Sequence, residues 1–333
     1  MMAKEKKSDW HGLVFELGRD EFTDLANEVE MRECEHEIGF YDIFDMAWEV
    51  GRVPICPECG CEGHTLNGWT KDGERRYICD CCGRSYNLMS GSIFAYAKKH
   101  LREWGLVMKL MSWNLPVEAV AEIAGVHPNT ALLWRRKAFE AVSGWQSGTV
   151  LSGTVWIDEI FQYDYYDPKD HFHKGKQGSA KKVCVCLAID SSLRMRAFVA
   201  GKSRATSASI EDGLKGAIDP KATIIHDGLF QHRKLIKDLG CKDKVYKSTV
   251  KDEESLRAML LVNSFCSWVH RYLARFYGMR PEYLQQYLDW FVYVFRVKQE
   301  QEKWPKTGRL IRHMLLSETT WTRKMRKERI FDE

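Results

Sequence analysis

TVWIDEI, residues 154–160, sets an apolar run of strand-forming residues against an acidic pair, Asp158 and Glu159. Similar runs follow: KVCVCLAID at 182–190, MRAFVAG at 195–201 and ATIIHD at 222–227. Short runs rich in β-branched residues and bounded by turn formers predict strands. Helical segments are expected around 207–217 and over 230–239, with a further strand at VYK, 245–247. Three strands, a helix, a strand and further helices make a mixed α/β sheet. Asp158 and Asp227 each end a hydrophobic run. If their strands are neighbours, both carboxylates project from one edge of the sheet, where oxygen ligands can clamp two divalent ions. An aspartate after a strand is also ordinary turn punctuation, as Asp190 after CLAI illustrates. The pair gains chemical meaning only if a helix supplies a third oxygen ligand.

That helix is sought in LLVNSFCSWVHRYLARFYG, residues 260–278, an apolar and aromatic run in which Asn263 and His270 are seven residues apart. Seven residues make two helical turns, roughly 10 Å along one face. Glu253 and Glu254 are the alternative ligands, but KDEESLR reads as a charged, solvent-exposed helix start. Asn263 lies in the run that reads as buried, and its amide oxygen is a neutral ligand of a kind hard cations accept. Downstream, RPEYLQQYLDWFVYVFR (280–296) carries Tyr283, Leu284, Tyr287, Leu288, Phe291 and Phe295 at helical spacing. That stripe is expected to pack on the sheet.

Upstream of the sheet, CPECG at 56–60 and CDCCG at 79–83 place four cysteines in two Cys-x-x-Cys-Gly turns. Each turn aims two sulfurs at one point, so Cys56, Cys59, Cys79 and Cys82 are expected to hold a structural Zn2+, with Cys61 and Cys81 left over. Between this ribbon and the sheet, LPVEAVAEIAGVHPNTALLWRRKAFEAV at 115–142 predicts a helix from Val117 to Ala124, a turn at Gly125 and a second helix started by His-Pro-Asn. This is a helix-turn-helix arrangement. Asn129, Thr130, Arg135, Arg136 and Lys137 on its second helix are the candidate DNA contacts.

The first fifty residues fit two short amphipathic helices, and QSGTV at 146–150 reads as a linker. DPKDHFHKGKQGSAKK at 167–182 reads as a basic arm, adding Lys174, Lys176, Lys181 and Lys182 to the candidate phosphate contacts. Lys202 and Arg204 extend that surface, and TWTRKMRKERIFDE at 320–333 adds a basic tail. The chain has 333 residues, 44% of them hydrophobic, enough for more than one core, and a net charge of only +4, so a polyanionic partner rests on local basic clusters. Eleven cysteines without an apolar leader in MMAKEKKSDW point to a reduced, soluble, cytoplasmic protein with no membrane partner.

In this order the motifs resemble the DDE transposases of bacterial insertion sequences. WIDEI resembles the first catalytic motif of that family, IIHDG the second, and VNSFCSWVHRYLARFYGMRPEYLQQYLDWF the third with its tail. The match is to the group in which asparagine replaces the last acidic residue; histidine, His270, stands where lysine is usual. The resemblance implies a multidomain α/β protein: a helical segment at 1–50, a zinc ribbon at 51–95, a helix-turn-helix at 96–146, an RNase H-like (integrase-type) mixed sheet with helices at 147–300, and the basic tail at 301–333. It implies catalysis by Asp158, Asp227, Asn263 and His270, with Mg2+, or Mn2+ in its place, on the first three. Double-stranded DNA, as terminal inverted repeats and target, is the implied partner, with a homo-oligomer joining two ends. The competing expectation is a DNA-binding protein without catalysis, either a regulator or a transposase relic.

Overall fold

The computed structural model describes residues 14, 16–40, 42–71, 73–95, 99, 101–163, 182–247, 249–250, 252–276, 279–300 and 304–317. The chain divides into two compact units, residues 1–109 with 302–316 and residues 110–301 with 317–333.

The first unit begins with α1 (Arg19–Ile38), which ends at Gly39 in the left-handed region (φ 94°), and α2 (Ile43–Glu49), whose Asp42 cap accepts from the Phe44 and Asp45 N–H groups. α1 is one long helix with little burial: Phe22, Leu25 and Val29, expected on an apolar face, are exposed, while Cys34 and Ile38 are buried. β1 (His64–Trp69), β2 (Arg75–Cys79) and β3 (Ser85–Asn87) form an antiparallel sheet. α3 (Leu101–Ser112) follows.

The second unit contains α4 (Val117–Ala124) and α5 (Pro128–Val142), then β4 (Thr154–Tyr163), β5 (Lys182–Asp190), β6 (Met195–Lys202), α6 (Ser207–Leu214), β7 (Thr223–His226), α7 (Phe230–Leu239), β8 (Lys242–Val245), α8 (Glu253–Leu273) and α9 (Leu284–Gln299). α10 (Lys306–Leu316) returns to the first unit and packs on α1. It does so through Gly308, where a Cβ would lie 1.9 Å from the Ile38 carbonyl oxygen.

The five strands run β6-β5-β4-β7-β8, with β4 antiparallel to β5 and parallel to β7. Every residue of β5 is buried, as a strand covered on both faces requires. On one face Val155, Ile157, Cys184, Cys186 and Ile224 pack against Ile210 and Leu214 of α6 and Leu235 of α7. On the other, α8 lies against β4, where the Trp156 indole N–H donates to the Ala258 carbonyl at 2.6 Å. Asp190 is turn punctuation, as expected: its carboxylate accepts from Ser192 N–H and Arg194 Nε. The last strand is KDKV rather than VYK. All four of its residues are exposed, so no apolar pattern marks it, and its parallel pairing with β7 alone defines it.

The outer strand β6 is finished by two glutamine side chains. Gln146 accepts from Ala197 N–H at 2.7 Å and donates to its carbonyl at 3.0 Å; Gln285 accepts from Val199 N–H at 2.9 Å. Both amides also donate to the buried Asp289. Among the described residues no helix is long and apolar enough to cross a membrane.

Candidate active site and metal centres

Pairing of β4 with β7 ends at Trp156 and Ile225; two residues further along each strand, Asp158 comes level with Asp227. Both carboxylates border one cavity of about 360 Å³, together with Glu159, Arg204, Leu229 and Gln231. Asp158 Oδ1 accepts from the Glu159 N–H at 2.9 Å, and Asp227 Oδ1 from the Leu229 N–H at 3.0 Å, so backbone donors fix both side chains. Burial pushes the Asp158 carboxyl up to about 6, and the negative charges of Glu159 and Asp227 add to the rise. Concentrated negative charge in a partly dry cleft is an environment that a cation relieves.

Glu159 is the member of this site that the sequence reading left without a role. Its side chain is 5% exposed, and Oε1 meets Nε2 of the fully buried His232 at 2.6 Å. Glu159 Oε2 is buried without a hydrogen-bond partner, as is Gln231 Oε1. Behind this pair, His232 Nδ1 lies 3.3 Å from His226 Nδ1, which also accepts from Gly228 N–H at 3.1 Å. The strand held a partial signal: adjacent residues face opposite sides of a sheet, so one of two neighbouring carboxylates turns to the α6–α7 side.

The helix of the third motif reaches the same strand. The Cys266 thiol lies 3.8 Å from Asp158 Oδ2. Asn263 is one turn earlier on α8 and exposed, and His270 one turn later and also exposed. The run expected to be buried is instead amphipathic, with Met259, Val262, Phe265, Val269 and Tyr272 inward. Partial burial of the ring lowers the His270 pKa below its ordinary value. Glu253 and Glu254 are exposed at the helix start, as expected, with Glu253 paired to Arg257 at 2.6 Å.

In the first unit, the Cys56, Cys59, Cys79 and Cys82 sulfurs all lie within 4.8 Å of one another, with Cys56–Cys82 at 3.6 Å and Cys59–Cys79 at 3.5 Å. A tetrahedral site with Zn–S bonds of about 2.3 Å has sulfur–sulfur edges of about 3.8 Å. The four thiols fit that geometry, as the cluster of a zinc ribbon does. Cys61 and Cys81, left over in the sequence, are joined as a disulfide, against the expectation of reduced cysteines.

α4 and α5 meet through Gly125 in the left-handed region (φ 63°), and the His127 ring caps α5 by accepting from Asn129 N–H. Asn129 is exposed at the start of α5 and Thr130 half-buried. The basic residues behave differently from expectation. Arg135 is 4% exposed and donates to the Leu115 carbonyl at 2.6 Å, because α5 turns its central face inward. It therefore braces the fold instead of reaching outward. Arg136 lies over the Tyr283 ring at 5.1 Å, lining a cavity of about 330 Å³ with Arg275, Arg280 and Tyr287. Lys137 is half-buried. Lys182 opens β5 and is 6% exposed, so it leaves the basic arm and joins the sheet. Arg204 is exposed at the rim of the Asp158 cavity. Lys174, Lys176, Lys181 and the tail 320–333 lie outside the described residues.

A strand order of β6-β5-β4-β7-β8, with Asp158 inside β4 rather than at its end, Asp227 directly after the parallel strand β7 and a helix against β4, defines an RNase H-like fold. Residues 150–296 match the family model of the ISXO2-like transposase domain. Similar solved structures include a Mos1 transposase paired-end complex with the left transposon end, at 13% identity over 64% of this chain and 75% of that one, with a TM-score of 0.27. A pre-cleavage Mos1 transpososome is similar at 11% identity over 65% and 79%, with a TM-score of 0.20. No curated protein matches the chain.

Proposed function

We propose that this protein is a DNA transposase of the DDE type, hydrolysing phosphodiester bonds at the ends of an element and joining the freed 3′ ends to target DNA. One observation carries the reading: Asp158 within β4 and Asp227 directly after the adjacent strand β7 border one cavity inside a segment that matches a transposase domain. The donors fit hard divalent cations such as Mg2+ or Mn2+, because they are carboxylate oxygens and one carboxylate oxygen in the cavity wall is buried without a partner. When bound, such ions supply an activated oxygen nucleophile and neutralise charge on the leaving oxygen.

The chain's own residues do the rest. Asp158 and Asp227, held by backbone N–H groups, would bind the ions; Asn263 on α8 adds a neutral oxygen, and His270 meets the phosphate two turns on. Arg204 at the cavity rim attracts the scissile strand. Asn129 and Thr130 at the exposed start of α5 read base edges, while Arg136 and Lys137 hold phosphates. Arg135 and Lys182, both buried, are left out. The five-part order read from the sequence needs one change, since α10 of the expected 301–333 tail packs with the first unit; joining two ends calls for more than one copy.

The test is nicking of DNA ends with Mg2+ or Mn2+. Asp158→Ala and Asp227→Ala are each expected to lower the rate by on the order of a hundredfold or more, since each removes an anionic ligand from the cleft. Metal-dependent nicking that survives both substitutions disproves the site. Absence of nicking by the unaltered protein favours a DNA-binding protein without catalysis.

A further inference from the structure

We infer that Glu159 is the third anionic ligand of the divalent-cation site, with His232 as its positioning residue. The inference rests on the proposed metal-binding role of Asp158 and Asp227. Asp158 and Glu159 point to opposite faces of β4, which in a fully paired sheet would separate them. Here β4 continues past the last residue paired with β7, leaving its flank unpaired on that side from Ile157 onward. Side chains from both faces then border the same opening, and Asp158, Glu159 and Asp227 all line it.

Two features mark Glu159 as a ligand rather than a structural carboxylate. Its Oε1 is engaged by His232, but its buried Oε2 has no partner, and an unpaired charged oxygen held away from water is costly to keep in a folded protein. Gln231 adds a second buried, unpaired oxygen to the same wall. The histidines form a buttress: His232 meets Glu159 through Nε2 and His226 through Nδ1, and His226 Nε2 faces Asp243 Oδ2 at 3.4 Å. Their ring nitrogens are thus occupied with one another and with carboxylates. The grouping of His226, Asp227 and His232 is therefore support behind the cleft rather than a separate metal centre. Carboxylate–histidine contacts of this kind fix a ligand's orientation. With Asn263 neutral, Glu159 restores the three negative charges that an all-carboxylate triad carries.

Binding of Mn2+ to the zinc-replete full chain, without DNA, followed by the electron paramagnetic resonance of free Mn2+, tests this. Glu159→Gln keeps the side-chain shape and its contact with His232 while removing the charge. It is expected to weaken Mn2+ binding by about ten- to a hundredfold, as Asp158→Asn does, and His232→Ala is expected to weaken it by a similar factor through loss of orientation. Wild-type affinity in Glu159→Gln, with affinity lost in Asp158→Asn, overturns the inference and leaves the transposase site standing. Wild-type affinity in both variants overturns the metal site itself. Should Glu159→Gln fail to give a cooperative melt, anomalous scattering from Mn2+ in crystals of the unaltered protein decides: an ion in coordination contact with Glu159 Oε2 supports the assignment, and an ion bound only by other groups overturns it.

Discussion

At Asp158 and Glu159, two neighbouring carboxylates have opposite fates. Asp158 faces α8 and the cleft, whereas Glu159 enters the α6–α7 side and is tied to His232. The two aspartates were legible in the sequence because each closes a β-branched run, and the parallel register of β4 and β7 brings them level. Glu159 was not legible in that way, because an alternating pattern shows only that one of two adjacent acids turns inward, and its partner lies 73 residues away. Arg135 teaches the reverse lesson. An arginine on a second helix reads as a DNA contact, but its position on the inward face commits it to the Leu115 carbonyl. A sharper steric prediction concerns Gly213 of α6, where a Cβ would lie 2.2 Å from the Phe198 ring. Gly213→Ala is expected to cost about 1–3 kcal/mol through overpacking, measured as a lowered urea midpoint with an unchanged m-value.

At the scale of elements, β5 matched its sequence run because a strand buried on both faces is continuously apolar, while β4 and β6 followed runs whose apolar residues alternate with polar ones. β8 escaped because it is an exposed edge strand whose residues carry no apolar pattern and whose place is set by its backbone pairing with β7. The run at 260–278 reads as buried, but as far as Leu273 its aromatics belong to a helix with one wet face, which carries Asn263 and His270. Asp289 on α9 offers a pH test. Burial raises its pKa, against the hydrogen bonds from Gln146 and Gln285 that favour its charged form. A carboxyl whose pKa is higher folded than unfolded holds its proton more tightly in the native state, so stability falls as pH rises from the ordinary carboxylate range through the raised value. Asp289→Asn keeps an oxygen for both glutamine donors and removes that loss. It is expected to raise the urea midpoint near neutral pH and leave it unchanged in acid below the ordinary carboxylate range. On α5, Asn129→Ala should relax sequence preference, whereas Arg136→Ala should weaken binding to all duplexes alike and reduce the slope of log affinity against log salt by about one. Fluorescence anisotropy on specific and scrambled duplexes separates the two outcomes.

For the molecule as a whole, the ribbon and the sheet have different sources of order. The three short strands of the first unit surround four thiols and a small cluster of Tyr77 and Tyr86, whereas the second unit has a continuous apolar core. Removing zinc with a chelator is expected to strip hydrogen-exchange protection from the β1–β3 amides while β4–β7 keep theirs. Equal loss in both would show that the metal does not act locally. The glutamine-finished rim of β6 bears on how copies of the chain can associate. A strand that has already satisfied its outward amides at Ala197 and Val199 offers no template for a visiting strand. The opposite rim, Lys242–Val245, is only four residues long and carries alternating charge, a second deterrent to extension. Any association between copies of the chain is therefore expected to use side-chain surfaces, because neither border of this sheet invites growth into a ribbon shared between subunits.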